Sequence, residues 1–358
     1  MINVTQPFLP NLNKYHKYLE KIYENSWLTN NGPLVKELNV RLCEYLGVKN
    51  LVLVSSGTMA LNISYKLLNI QKSVITTPFS FVATTSSLVW NGIDPVFSDI
   101  DPLTFNLNPD RLHSCMSESI EAILPVHVFG NPCDMEGIQN IAKYYNKKLI
   151  YDASHAFGVK HDDRSVLTYG DLSILSFHAT KLFHTIEGGA IVVNDDRLFD
   201  EANRLLNFGY NQRNEIVTPG INGKMSEFHA AMGLAVLDDI DLIISKRKEI
   251  HDYYYRKLND VIELQAYNLD ATRNYSYMPV VFKTEEKLIE VLKTLNRHEI
   301  FPRRYFNPSL DTLCYVDKIY NCDHSQDISR RILCLPIYDS LSIKDVQRVI
   351  QCIKDCHK

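Results

Sequence analysis

The sequence lacks the features that mark secreted, membrane-embedded and nucleic-acid-binding proteins. Residues 1–7 contain neither the basic segment nor the apolar segment of a signal peptide. No uninterrupted apolar run approaches the length of a membrane-spanning helix. The net charge of −4 is small for 358 residues and provides no basic surface for nucleic acid or an anionic membrane. We therefore expect a cytoplasmic protein that binds neither nucleic acid nor a membrane.

Cysteine motifs are also missing. The eight cysteines are scattered without C-x-x-C pairs, which is typical of free thiols in a reducing compartment. Cys352, Cys356 and His357 lie close together near the C-terminus, but no second pair of ligands accompanies them. A structural zinc site needs four ligands. We therefore predict ordinary cysteines on a helix face and no bound metal.

The remaining composition, with 45% hydrophobic and 22% charged residues, is that of a globular protein with one large domain and a smaller one. Helices are predicted at 34–46, where Gly47 ends the pattern, and at 135–145. Strands alternating with helices favour a mostly parallel sheet covered on both faces, an α/β fold. The predicted strands are 51–54, 74–76, 95–97, 122–124, 149–151, 172–175 and 190–193.

The pattern changes after Asn194. A long helical stretch is predicted from residue 226 to about residue 258, followed by a strand at 278–282 and helices at 285–297 and 343–356. We therefore predict a large domain of residues 1–240 and a small C-terminal α+β domain of residues 241–358, joined by a long helix.

Lys181 follows a predicted buried strand in the segment Ser-Phe-His-Ala-Thr-Lys, and two glycines follow at 188 and 189. A lysine at the end of a buried strand is costly unless its amine has a chemical task. The task that fits best is a Schiff base with a carbonyl cofactor. An ordinary surface lysine is the alternative that this position alone leaves open.

Asp152 ends another predicted buried strand. Residues that contact ligands in parallel α/β sheets gather at the carboxyl ends of strands. A carboxylate there can hold a pyridinium N–H and keep the ring an effective electron sink. The alternative is an aspartate that caps the next turn. His155, three residues on, is either a contact to the phenolic oxygen of such a cofactor or a histidine of the core.

Two further segments complete the set. Ser56-Gly57-Thr58 precedes a helix, whose N–H groups and dipole favour phosphate, although no Walker motif follows. Ser176 could add a hydroxyl to the same phosphate. Phe81 lies in a loop after a strand and could stack on a planar ring, or pack in the core. A lysine, a carboxylate, an aromatic ring and a phosphate site together indicate pyridoxal 5′-phosphate (PLP).

Longer motifs carry a resemblance to a known family. They occupy 27–33, 56–61, 125–130, 152–158 and 220–227, together with the Lys181 segment. With them the chain resembles the DegT/DnrJ-type sugar aminotransferases, which are PLP enzymes of fold type I, the aspartate aminotransferase fold. Some relatives carry histidine at the lysine position and act as dehydratases, so Lys181 favours amino transfer. Phe129 replaces a tyrosine of many relatives, so a hydroxyl contact is in doubt there.

The resemblance implies the roles of the cofactor-binding residues. Lys181 would be the Schiff-base lysine and catalytic residue, Asp152 would pair with the pyridine nitrogen, and Phe81 would stack on the ring. The phosphate would be held by Gly57, Thr58 and Ser176, with Asn222 reaching it from the partner subunit of a homodimer. Ser56 and His155 complete the predicted cofactor site.

The resemblance also implies the substrates: a nucleotide-linked 4-keto-6-deoxy sugar and L-glutamate, giving an amino sugar for bacterial surface glycans. His178 and Glu187 resemble the enzymes that aminate C-4 of dTDP-sugars. Predicted substrate-binding residues are Thr29, Asn30, Glu187, Arg304, Tyr305 and Phe306. Arg303 and Arg304 with the Tyr-Phe pair could meet a diphosphate and a flat base, or form a solvated basic turn. Open alternatives are C-3 or GDP-sugar transfer, a PLP lyase or dehydratase, and a PLP-binding regulatory protein.

Overall fold

The computed structural model describes residues 1–356, which contain twelve α-helices and fourteen strands. The helices are α1 (Leu12–Asn25), α2 (Pro33–Leu46), α3 (Gly57–Leu67), α4 (Ala83–Trp90), α5 (Leu112–Cys115), α6 (Met135–Tyr144), α7 (Asp196–Leu205), α8 (Glu227–Leu237), α9 (Ile240–Leu258), α10 (Glu285–Arg297), α11 (Asp323–Arg331) and α12 (Ile343–Cys356). The strands are β1 (Ile2–Asn3), β2 (Leu51–Val54), β3 (Ser73–Thr76), β4 (Asp94–Phe97), β5 (Ile120–Leu124), β6 (Lys148–Asp152), β7 (Lys160–His161), β8 (Arg164–Ser165), β9 (Leu172–Ser176), β10 (Gly189–Val193), β11 (Glu263–Leu264), β12 (Pro279–Val281), β13 (Ile300–Phe301) and β14 (Ile332–Cys334).

A seven-stranded sheet in the order β2-β10-β9-β6-β5-β3-β4 forms the centre of the molecule. Its pairs are parallel except at β10, which runs antiparallel to both β2 and β9. The seven strands predicted from apolar runs are the seven strands of this sheet. The predicted α/β fold with a large, mostly parallel sheet is therefore confirmed.

Both faces of the sheet are buried, which explains why its strands read as continuous apolar runs. In β2, Leu51 and Leu53 pack in the core that includes α2 and α8, while Val52 and Val54 pack on the other face with α3 and α7. The alternation follows from the two-residue period of a strand. Helix α2 ends as predicted, with Gly47 in the left-handed region.

The predicted long helix over 226–258 is wrong at its centre. The chain forms α8 and α9 with a break at Asp238 and Asp239, and Asp239 has a non-helical backbone. The Asp238 carboxylate accepts a hydrogen bond from Arg41 of α2 at 2.8 Å, and the Asp239 carboxylate pairs with Lys14 of α1 at 2.7 Å. Both ion pairs hold the break against the neighbouring helices, a tertiary effect that local helix propensity does not report.

A second core lies in the C-terminal part of the chain. The antiparallel sheet β11-β12-β14 packs with α9, α10 and α12 around apolar residues that run from Ile250 to Ile353. Ile2 belongs to this core as well, because β1 pairs in parallel with β13. The division at residue 240 stays a prediction.

Within residues 1–356, no helix is both long and apolar enough to cross a membrane. The same residues contain no group of histidine, cysteine, aspartate or glutamate side chains arranged to hold a metal ion. His357 lies outside the described residues. All eight cysteines are free thiols.

Candidate active site

Two neighbouring strands bring the predicted lysine and carboxylate to one edge of the sheet. Strands β6 and β9 are parallel neighbours, and Asp152, the last residue of β6, is in register with Ile174 of β9. Strand β9 ends at Ser176, and the following loop carries Lys181. Because the carboxyl ends of parallel strands meet, Asp152 and the Lys181 loop lie at the same rim.

Lys181 has an unusual environment for a lysine. Its side chain is partly buried and lines a small cavity with His155, Ser176 and Tyr277. Burial lowers the pKa of the amine to about 8, although the nearby Asp152 carboxylate acts in the opposite direction. The amine Nζ donates a hydrogen bond to the Tyr277 hydroxyl at 3.5 Å. About a tenth of such an amine is neutral at pH 7, far more than for an ordinary lysine, and the neutral form can act as a nucleophile or a base.

Asp152 is buried and held by two hydrogen bonds. Its Oδ2 accepts from the Thr84 hydroxyl at 3.0 Å, and its Oδ1 accepts from the backbone N–H of Ser154 at 3.0 Å. Thr84 lies in the first turn of α4, and its hydroxyl also bonds to that of Ser80 at 2.9 Å. Each carboxylate oxygen has a second lone pair, so Asp152 can still accept a hydrogen bond from a ligand.

His155 lies in an aromatic cluster beside Lys181. Its ring is stacked on Phe306 at 5.8 Å between centroids and meets Tyr277 edge-on at 4.8 Å. Its Nδ1 accepts a hydrogen bond from the backbone N–H of Phe129. Burial, together with the charge of Lys181, lowers the pKa of His155 well below its usual value. The imidazole is therefore neutral, and Nε2 carries its proton.

The N-terminus of α3 and the end of β9 form a narrow cradle. Ser56 caps α3 by accepting a hydrogen bond from the N–H of Met59 at 3.1 Å. The first N–H groups of a helix have no partner within it, so those of Gly57 and Thr58 are available to a ligand. A Cβ at Gly57 would lie 2.8 Å from the Cβ of Ser176, and only glycine allows this approach. The cradle can hold an anion such as phosphate.

A wide groove of about 1210 Å³ is lined by Ser80, Phe81 and Thr180, the residue before Lys181. Phe81 forms one side of it and has 54% of its surface exposed, so one face of its ring is available. The segment Arg303 to Phe306 also lines the groove. A groove of this size can accept a ligand much larger than an amino acid.

The residues of segment 303–306, which the sequence predicts to contact the substrate, differ in how exposed they are and in whether they already have a partner. Arg304 is already paired, because its Nη2 donates to Glu285 at 2.7 Å and to the carbonyl of Arg330 at 2.8 Å. Phe306 is buried in the aromatic cluster with His155 and Phe129, so its ring is not open to a base. Arg303 is exposed, and it has no ion pair among residues 1–356. Tyr305 is half-buried and lines the groove.

Other predicted substrate residues lie outside this groove. Glu187 is exposed, and its Oε1 lies 3.6 Å from Nε2 of His178. Thr29 is exposed, and Asn30 lines a second groove of about 980 Å³ with Asn207, Tyr210 and Lys224. Asn222 is exposed at the base of a hairpin, where it pairs with Asn207. Thr29, Asn30 and Asn222 are therefore not among the residues that line the cavity of Lys181 in one protomer.

The sequence and the fold match a known group of enzymes. The model of the DegT/DnrJ/EryC1/StrS aminotransferase family matches residues 12–354. The chain belongs to this aminotransferase family. It is 44% identical to the dTDP-4-amino-4,6-dideoxy-D-glucose transaminase of Shigella dysenteriae, covering 99% of this chain and 98% of that protein. It is 38% identical to the Escherichia coli protein of the same name, covering 97% and 96%.

Solved structures agree with this assignment. This protein is similar to the structure of DesI in the presence of its TDP-sugar product, with a TM-score of 0.94 and 30% sequence identity. The similarity covers 99% of this chain and 93% of that one. A GDP-perosamine synthase of Escherichia coli O157:H7 is more distant, with 29% identity over 99% of this chain and 98% of that protein. The expectation of an aminotransferase is confirmed.

Two residues of the candidate site were not anticipated from the sequence. Thr84 bonds to Asp152, and its place three residues after Phe81, in the segment that follows a predicted strand, was the available signal. Tyr277 lies almost a hundred residues from Lys181 along the chain, and only its position just before a predicted strand marked it. The contact depends on how the C-terminal part packs against the large sheet.

Proposed function

We propose that the protein is a PLP-dependent aminotransferase that moves the amino group of L-glutamate to C-4 of dTDP-4-dehydro-6-deoxy-D-glucose. The observation that carries the transfer chemistry is the partly buried Lys181 amine, with its lowered pKa, at the rim that also holds Asp152. The choice of sugar is supported by the names of the relatives that are 44% and 38% identical over nearly the whole chain.

The residues at the rim fit PLP. Asp152 has lone pairs free for a pyridinium N–H, and the cradle of Gly57, Thr58 and Ser176 suits a phosphate. The exposed face of Phe81 suits a planar ring. Bound PLP supplies a carbonyl that condenses with amines and a ring that accepts the electrons of a carbanion.

The side chains of the protein supply the proton transfers. Lys181, with a pKa of about 8, would take a proton from the Cα of glutamate and would return it to C4′, the carbonyl carbon of PLP. Asp152 would hold a proton on the ring nitrogen of PLP through its negative charge. His155 is neutral and carries its proton on Nε2, so it can donate to an oxygen of the cofactor ring. In the second half-reaction, the same lysine moves protons in the opposite direction and the keto sugar becomes the amino sugar.

The wide groove is the proposed site of the nucleotide. We assign the diphosphate contact to Arg303 instead of Arg304, because the Arg304 guanidinium is already bound to Glu285. Tyr305 lies beside Arg303 and offers a half-exposed ring for the base. Arg303→Ala is expected to raise KM for the nucleotide sugar about tenfold. Arg304→Ala is expected to reduce stability more than binding, since it leaves Glu285 without its partner.

A homodimer with shared active sites is part of this proposal. The hairpin that ends at Asn222 exposes Phe208, Tyr210, Ile216, Val217 and Ile221. Exposed apolar side chains in one segment favour an interface. A second copy covering this hairpin would let Asn222, Thr29 and Asn30 serve the partner's site. Sedimentation at several concentrations tests the dimer, and mixing Asn222→Ala with Lys181→Ala subunits tests shared sites through a partial recovery of activity.

The deciding experiment is incubation with dTDP-4-dehydro-6-deoxy-D-glucose and L-glutamate, followed by NMR of the sugar. An equatorial or axial amine at C-4 supports the proposal, whereas an amine at C-3 contradicts the assigned carbon. Release of ammonia or loss of a hydroxyl would instead indicate a lyase or dehydratase. A regulatory PLP-binding protein would show no glutamate-dependent bleaching of the yellow cofactor band. A parallel reaction with the GDP-sugar tests the nucleotide.

Two further points belong to the proposal. The eight free thiols support a reducing compartment, the cytoplasm. The chain is also 28% identical to a spore coat polysaccharide biosynthesis protein of Bacillus subtilis, which supports a place in surface glycan synthesis.

A further inference from the structure

We propose that Tyr277 is the positioning residue of the Lys181 amine, holding it by a hydrogen bond between the hydroxyl and Nζ. The inference rests on the role proposed for Lys181 and adds a residue to that site. The two side chains come from distant parts of the chain: Lys181 from the loop after β9, and Tyr277 from the segment before β12.

The Tyr277 ring is fixed by packing. It lies 4.8 Å from the ring of His155 and 5.2 Å from that of Phe129, measured between centroids, and it meets Tyr305 edge-on at 6.3 Å. These contacts leave the hydroxyl directed at Nζ of Lys181, 3.5 Å away. Such hydrogen bonds are often long without ligands and shorten when the reactants bind.

The backbone that carries Tyr277 is also anchored. Asn274 donates from Nδ2 to the carbonyls of His155 at 2.8 Å and Phe157 at 3.1 Å, and its Oδ1 accepts from the N–H of Ser276 at 3.2 Å. The buried Arg247 of α9 donates from Nη1 to the carbonyl of Ser276 at 3.3 Å. These hydrogen bonds therefore fix both the N–H and the carbonyl of Ser276, the residue before Tyr277.

A phenylalanine at position 277 would fill the same space as the tyrosine. The hydroxyl must therefore contribute something other than packing. Burial raises the pKa of Tyr277 well above its usual value, so the hydroxyl stays protonated and neutral. It can accept a bond from the ammonium form of Lys181 or donate one to the neutral amine. Bonds to charged groups are stronger than bonds between neutral ones. The hydroxyl therefore favours the ammonium form. The other ionisable groups around this pair are Asp152, His155, Arg247, Tyr305 and Cys334.

Tyr277→Phe tests this inference in the cofactor-free protein. Competitive labelling with acetic anhydride across a pH series, with mass spectrometry of the Lys181 peptide, reports the titration of this one amine. The wild-type midpoint is expected near the pKa of about 8. The variant should titrate about half a pH unit to one unit lower, because the ammonium form loses its acceptor.

Tyr254→Phe is the matched control, because Tyr254 is a buried tyrosine of the C-terminal core whose hydroxyl has no partner among residues 1–356. It should leave the Lys181 midpoint unchanged. An unchanged or raised midpoint in Tyr277→Phe, or an equal shift in Tyr254→Phe, overturns the inference. The labelling needs neither PLP nor sugar, so its result is independent of the proposed reaction. In the loaded enzyme, the acidic limb of the kcat profile should shift in the same direction while KM for glutamate stays constant.

Discussion

Gly57→Ala tests the proposed phosphate cradle through one added methyl group. The new Cβ would lie 2.8 Å from the Cβ of Ser176, 3.1 Å from its Oγ and 3.2 Å from its Cα. Neither side of this contact is a flexible side-chain end, because one belongs to the start of α3 and the other to the end of β9. Restoring ordinary contact requires the two elements to separate by about 0.6 Å.

The separation should weaken phosphate binding more than it weakens the fold. The N–H groups of Gly57 and Thr58 and the hydroxyl of Ser176 can no longer reach one anion at ideal distances. Weakening two charge-assisted hydrogen bonds costs about 1.4–2.8 kcal/mol, which is about a tenfold to hundredfold rise in the Kd for PLP. The assay is titration of cofactor-free protein with PLP, followed by its visible absorbance, with a parallel urea denaturation.

Gly47→Ala is the matched control. Gly47 has φ of +64°, and nothing lies within 4 Å of the point that an added Cβ would occupy, so the alanine strains only the end of α2. It should cost about 1 kcal/mol of stability and leave the Kd unchanged. In a Ser176→Gly background, which removes the contacted Cβ, Gly57→Ala should cost less affinity than in the wild type. A folded Gly57→Ala protein that binds PLP within about twofold of wild type would refute the reasoning.

Three other outcomes are expected. Lys181→Ala should bind PLP yet lose about 10⁴-fold or more in turnover, and borohydride should no longer attach the cofactor covalently; normal turnover would contradict the mechanism. Ile186 has a left-handed backbone with φ of 70°, so Ile186→Gly should raise the free energy of unfolding by about 0.5–1 kcal/mol in urea, whereas Ile186→Val should not. Burial lowers the pKa of His251 to about 4, so the unfolded chain binds a proton that the folded protein excludes, and stability falls as pH drops from about 6.5 to 4. His251→Gln should lessen this fall by about 1.4 kcal/mol per pH unit in urea titrations; an equal fall in both proteins would contradict it.

The strands of the large sheet were predictable because burial on both faces demands short, wholly apolar runs, and such runs are visible locally. The cap at Gly47 and the bounds of α10 and α12 were predictable for a similar reason, since periodicity and breakers are properties of neighbouring residues. The break between α8 and α9 was not. It depends on Lys14 and Arg41, which lie about two hundred residues away and meet Asp239 and Asp238 only in the folded chain.

The candidate site also contains some residues that were predictable from the sequence and others that were not. Asp152 and Lys181 were identifiable because each follows an apolar strand, and the parallel register of β6 and β9 then places both at one rim. The two adjacent arginines were not distinguishable. Their sequence neighbours are alike, and only the packing of α10 supplies Glu285 to Arg304 and leaves Arg303 exposed.

The sequence by itself therefore determined the sheet and the family, and it predicted the chemistry of the lysine and the carboxylate. Each of these depends on residue types at short spacing, where local pattern and physical requirement coincide. The tertiary structure alone decided the lowered pKa of Lys181, its contact with Tyr277 and the exposure of Arg303 beside the groove. These depend on burial and on side chains from distant segments, and both arise only when the C-terminal core packs against the large sheet.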